Sequence, residues 1–172
     1  AVRWVRGMGL GCLALVIRMT GIGFGSARAK SRDRKIALSR ICYVAFYVAY
    51  YANDPFNLTH IAMRGLYTGL TLGPGEQLAN QSGAFAVLLS LLKVTGPARI
   101  LIRDGKKNGE TLGDPRVVAL NEVYNGFVEH FVGEPRADEV IQTRVVNTYN
   151  AWLAPMDYLN AVVDLGWNLI VR

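Results

Sequence analysis

The chain has 172 residues, of which 51% are hydrophobic, with 19 Lys/Arg against 13 Asp/Glu and a net charge of +6. This length supports one sizeable core, and a mean hydropathy of +0.20 is low for a polytopic transporter and high for an ordinary water-soluble enzyme. Cys12 and Cys42, the only cysteines, both sit in apolar stretches and exclude a disulfide framework or a cysteine metal site.

The charge is unevenly spread. Residues 1–60 carry nine Lys/Arg against Asp33 and Asp54, a balance of +7, while the remainder is −1. A basic and apolar first third suits a membrane surface better than a nucleic-acid groove. The chain begins at Ala1 rather than Met, compatible with a removed targeting peptide.

Two apolar segments, 7–25 and 36–52, flank a basic connector. At ~1.5 Å per residue the first reaches about 28 Å, close to a hydrocarbon core; the second is marginal. The two are expected to form a transmembrane helical hairpin. Arg3, Trp4 and Arg6 ahead of it suit the headgroup region. Gly7/Gly11 and Gly21/Gly25 make small-xxx-small pairs for close helix packing, with a loop as the competing reading of 21–25. Arg18 and Arg40 would be costly facing lipid, so each is expected to contact a partner subunit or lipid phosphate. For Arg18 the acid is expected from outside the chain, Asp54 and Glu76 being the nearest within it.

Arg28, Lys30, Arg32, Arg34 and Lys35 form the connector, a headgroup-facing cluster that the positive-inside rule puts on the matrix side. In the second segment Tyr43, Phe46, Tyr47, Tyr50 and Tyr51 follow i, i+3, i+4, i+7, i+8 and line one helix face. Packing is the default role of that stripe, ahead of a quinone or pigment site.

Asp54-Pro55 ends the second helix, and Asn57 is positioned to cap a third over about 58–72. A fourth, from Glu76 to about Lys93, contains an apolar run too short to span and reads as buried or re-entrant. Residues 99–103 and 110–112 are the candidates for brief extended structure. The run DGKKNGETLGDP (104–115) reads as a polar loop from its Asp-Gly and Asn-Gly pairs. Amphipathic helices follow from Pro115, over 137–153, and from Met156 to Val171.

The expected fold is mostly α with little or no sheet: a membrane hairpin (1–56), short apolar helices (57–103) and a soluble or peripheral helical region (104–172). His60 and His130, the only histidines, have no metal-ligand spacing and read as plain polar residues. Gly9-Leu-Gly11-Cys-Leu-Ala14 matches G-x-G-x-x-A, but a dinucleotide site also needs a strand before it and a βαβ unit around it. No catalytic residue, metal or cofactor is expected, beyond structural lipid. The organisation points to a non-catalytic accessory subunit of a mitochondrial inner-membrane complex, such as a respiratory-chain complex or ATP synthase, with other subunits and anionic lipid as partners. A basic RNA-associated module of an organellar ribosome is the alternative, and a dinucleotide-dependent oxidoreductase a more distant one. Nucleic acid and a small-molecule substrate are not favoured as partners.

Overall fold

The structure is a computed structural model that describes the backbone of residues 2–170 and the side chains of 9–134 and 136–170. Every regular element among the described residues is helical. The order is α1 (Val2–Thr20), α2 (Ala29–Tyr51), α3 (Pro55–Leu72), α4 (Glu76–Leu91), α5 (Thr95–Leu112), α6 (Pro115–Val132), α7 (Pro135–Arg144) and α8 (Pro155–Ile170). Between α7 and α8 the chain passes through a π-helical turn, Val145–Tyr149, and a 3-10 turn, Asn150–Trp152.

Proline punctuates the chain. Helices α3, α6, α7 and α8 each begin on one, where the missing N–H costs nothing and the fixed φ suits the first turn. The Asp54 carboxylate caps α3 by accepting from Asn57 N at 3.0 Å, and Asp114 caps α6 by accepting from Arg116 N at 2.9 Å. Asp54, rather than Asn57, is therefore the cap of the third helix.

Helices α3, α4 and α6 form the spine. α4 packs against α2, α3, α5 and α6, and the far end of the bundle is closed by α7 and α8 on α6. The main core joins Phe46, Leu58, Ala84, Val87, Leu88, Leu101, Ile102, Leu120, Tyr124 and Val128 from five of these helices. The short apolar run of α4 is this central element, with Ala84, Ala86, Val87 and Leu88 all buried.

Three expectations are corrected. The first is the transmembrane hairpin: no helix among the described residues is long and apolar enough to cross a membrane. Nor do α1 and α2 face each other as a hairpin. Both pack on α3, and a groove of about 560 Å³ between them is lined by Leu10, Lys35, Leu38, His60, Arg64 and Tyr67. The second is Gly21 and Gly25, which lie in the connection and not on a helix, with φ of 71° and 64°, values that favour glycine. Gly25 N and Ala27 N bond Leu70 O and Thr71 O at 3.0 and 2.9 Å, fastening this loop to the end of α3. The third is the 104–115 loop and the extended piece at 99–103, both of which belong to α5 as far as Leu112. Ala98, Leu101, Ile102, Gly105 and Gly109 are buried on one face of α5, and the two glycines let α6 approach.

Candidate functional site

The interior of the carboxy-terminal half is unusually polar. On α8 the buried residues are Asp157, Asn160, Ala161, Asp164 and Asn168, a stripe at i, i+3, i+4, i+7, i+11. The exposed residues include Met156, Leu159, Val163, Trp167, Leu169 and Ile170. A helix on the surface of a water-soluble domain has the reverse arrangement.

Two clusters receive this stripe. In the first, the α2 phenols reach across to the start of α8. Tyr43 Oη donates to Asp157 Oδ1, Tyr47 Oη approaches the same oxygen at 3.4 Å, and Tyr51 Oη donates to Asn160 Oδ1 at 2.7 Å. Burial raises the Asp157 carboxyl above its ordinary pKa, against the hydrogen bonds from Tyr43 and Tyr47 that lower it. Burial and the neighbouring phenol and carboxylate also raise Tyr43. Tyr47 is raised by burial first and then by Asp157. These phenols are held neutral as hydrogen-bond donors.

The second cluster lies deeper, where α6, α7 and α8 meet. Gly133, with φ of 97°, takes the left-handed conformation at the end of α6 and turns the chain directly into α7. That turn brings His130 over Asp138. His130 Nδ1 lies 3.0 Å from Asp138 Oδ2 and 3.2 Å from Asp164 Oδ1. Asn168 Nδ2 donates to Asp138 Oδ2, and Gln142 Nε2 donates to Asp164 Oδ2 at 2.8 Å. Gln142 occupies space that exists because residue 126 is glycine, since a Cβ there would overlap its amide. Burial, and then the Asp138 charge, raise Asp164 to about 7, while His130 is raised chiefly by its bond to Asp138.

A fourth buried carboxylate is conventionally satisfied. Glu122, on α6, meets Lys106 at 3.2 Å and Arg144 at 3.0 Å.

The residues singled out from the sequence fall elsewhere. Arg28 stands at the amino-terminal end of α2, and Lys30, Arg32, Arg34 and Lys35 occupy its first two turns, so the basic connector is mostly helix. Arg32 Nη1 also donates to Leu72 O at 3.3 Å, at the carboxy end of α3. Arg18 pairs with Asp104 of α5, which corrects the expectation that its acid comes from another chain. Arg40 is exposed at the rim of an apolar groove of about 680 Å³ lined by Ile41, Val44, Val48, Ala52 and Ile61. Tyr43, Phe46, Tyr47 and Tyr50 line the inward side of α2, with Phe46 and Tyr47 buried; Tyr51 lies at its edge, 60% exposed. Gly11 is packed against Met63 of α3, so closely that a Cβ at residue 11 would stand 3.0 Å from the Met63 Sδ. The surroundings of Gly7, and the side chains of Arg3, Trp4 and Arg6, lie outside the described residues. Gly9 to Ala14 are within α1, so the glycine doublet does not sit at a strand-to-helix turn, and no strand is present among the described residues.

From the sequence His130 reads as a plain polar residue, and Asp138 and Asp164 are not singled out. The partners of His130 stand eight and 34 positions away, the first across a helix–helix turn, so no single-helix periodicity links them. No protein-family model matches the sequence, and comparison with curated proteins and with solved structures finds no match.

Proposed function

We propose that this chain is a non-catalytic accessory subunit that docks into a larger membrane-associated assembly, its outward apolar faces covered by neighbouring subunits and lipid. The observation that carries this reading is the inverted polarity of α8, with Asp157, Asn160, Asp164 and Asn168 inside and Leu159, Val163, Trp167 and Ile170 outside. Contiguous apolar surface of this kind marks interaction sites.

Two further features support it. Leu13, Leu15, Val16 and Met19 of α1, with Ile22 and Phe24 after it, are exposed. Beside them the cations of α2 stand at a helix amino terminus, where positive charge is unfavourable by roughly 0.3–1 kcal/mol per residue unless an anion is present. Anionic headgroups would supply that charge. A mitochondrial inner-membrane complex of the respiratory-chain or ATP-synthase kind, with residues 26–35 toward the matrix, is the setting we propose, and a bound structural lipid suits the grooves on α2. The chain's own role there is to hold neighbours in place, without a substrate.

The reading is tested by extraction from native cells of a tagged chain. Co-purification with a set of membrane-complex subunits in mild detergent, resistant to salt and nuclease, is expected. Release by salt or nuclease alone would favour the RNA-associated reading instead.

A further inference from the structure

We infer that His130, Asp138 and Asp164, with the side-chain carbonyl of Gln142 beside them, form a binding site for one divalent transition-metal ion that ties α8 to α6 and α7. Each of the three residues offers one ligand atom, and these lie within 4.8 Å of one another. The inference is independent of the docking proposal, since it concerns the interior and not the outward faces.

Asp138 is 0% and Asp164 7% exposed, and among the described residues no Lys or Arg forms an ion pair with either; their only cationic neighbour there is His130. Two adjacent carboxylates in such surroundings repel strongly. With both carboxylates ionised, one imidazolium leaves the cluster at −1, whereas a divalent ion with a neutral imidazole leaves it at zero.

Unpaired oxygens point the same way, independently of the charge. Asp138 Oδ1 and Gln142 Oε1 are buried acceptor oxygens with no hydrogen-bond partner, in residues that are both 0% exposed. Native interiors rarely leave such atoms unpaired. The sibling oxygen Asp138 Oδ2 is the hub of the cluster, and the Gln142 amide already touches Asp164. A cation held by the cluster would give these oxygens a partner.

Spacing and donor chemistry select the ion. Donors bound at about 2.0–2.2 Å lie roughly 3 Å apart when they share an edge of the coordination sphere, and the imidazole nitrogen is 3.0 and 3.2 Å from its two carboxylate oxygens. One imidazole nitrogen with carboxylate and carbonyl oxygens suits Zn²⁺, Mn²⁺ or Fe²⁺, whereas Mg²⁺ and Ca²⁺ favour all-oxygen sets. The role of the ion is structural: its ligands come from three consecutive helices, so binding fixes the polar face of α8 inward. The irregular π-helical turn that follows α7 lets the chain leave this packed corner.

The experiment uses the full chain, stripped with chelator, then titrated with Zn²⁺ in competition with a chromophoric chelator. One equivalent per chain is expected, with an upward shift in thermal midpoint. Asp138→Asn and Asp164→Asn preserve shape and should each weaken binding by at least about tenfold, whereas His60→Gln should leave it unchanged. The chain contains only two histidines, so imidazole NMR of the unmodified protein decides the matter even where a variant fails to fold. Zn²⁺ should move the His130 resonances and spare those of His60. Absence of stoichiometric uptake, uptake that leaves His130 unmoved, or unchanged affinity in the folded Asn variants would overturn the site.

Discussion

Helices α4 and α8 are each 16 residues long, and they are held in opposite ways. α4 is surrounded by other helices and buries Ala84, Ala86, Val87 and Leu88 among apolar neighbours. Its stability comes mainly from area removed from water, at roughly 25 cal/mol per Å², with buried Gln81 donating to Ser39 O at 2.8 Å. α8 buries two carboxylates and two amides beside Ala161 and leaves large apolar residues such as Leu159, Val163 and Trp167 outside. Hydrogen bonds of this kind are worth about 1 kcal/mol net when made, and more is lost when one partner is removed. Within this chain, then, the first helix rests chiefly on apolar burial and the second on a satisfied polar network inside.

The sharpest break of that comparison is at the α4–α6 contact. Tyr124 is 1% exposed and its ring fills the space above Gly83. Tyr124→Ala should cost about 3–5 kcal/mol, as large aromatic truncations in cores do. Gly83→Leu should be at least as damaging, because a Cβ at 83 would overlap the ring. Chemical denaturation followed by far-UV circular dichroism measures both. A loss below about 1 kcal/mol for Tyr124→Ala would show that α4 is not the centre of the core.

A smaller effect of opposite sign is expected at the start of α8. Asp157 is 4% exposed and its pKa is raised by burial, so the folded chain binds a proton more tightly than the unfolded one. As pH rises from the unfolded carboxyl value, about 3.9, through the raised folded value, this residue makes the fold progressively less stable. Asp157→Asn keeps an acceptor for Tyr43 and removes the charge. It should abolish that part of the pH slope and be neutral to stabilising at pH 7, whereas Asp157→Leu should destabilise by leaving the phenols without an acceptor. Denaturation midpoints across pH 4–8 test the sign; a wild-type stability contribution from Asp157 that grows with pH would contradict it.

The least effect is expected at Arg18. Its side chain and that of Asp104 are 28% and 48% exposed, and exposed pairs contribute about 0–1 kcal/mol. Arg18→Leu should stay within that range in the isolated chain. A loss of several kcal/mol by the same denaturation assay would mean that α1 and α5 are coupled far more tightly than this geometry implies.

Helix ends were more legible in the sequence than helix surroundings. Asp54-Pro55 and Pro115 mark boundaries for local reasons, and a helix begins at each of these prolines in the fold. α5 was obscured because Asp104-Gly105 and Asn108-Gly109 read as turns. Those glycines in fact continue the stripe of Ala98, Leu101 and Ile102 as its smallest members, so tertiary contact with α6 overrides local preference. The same inversion hid the polar clusters. Asp157, Asn160, Asp164 and Asn168 carry a helical period that is visible in the sequence, but in α8 the face that usually meets water is the one turned inward. His130 needed the α6–α7 turn in three dimensions before its partners could be seen.

The central claim is that the outward face of α8 is covered in the native assembly, and one measurement tests it most directly. Leu159→Gln, Val163→Gln and Trp167→Gln together replace residues that are 54%, 59% and 60% exposed. Such changes should leave the isolated chain within about 0.5 kcal/mol per site of wild type. Native gel migration of the tagged triple variant, expressed in its own cells and extracted in mild detergent, reads its assembly. The account predicts a folded chain that migrates alone, while the wild type migrates in a large complex. Wild-type and variant chains migrating identically, both folded, would contradict it.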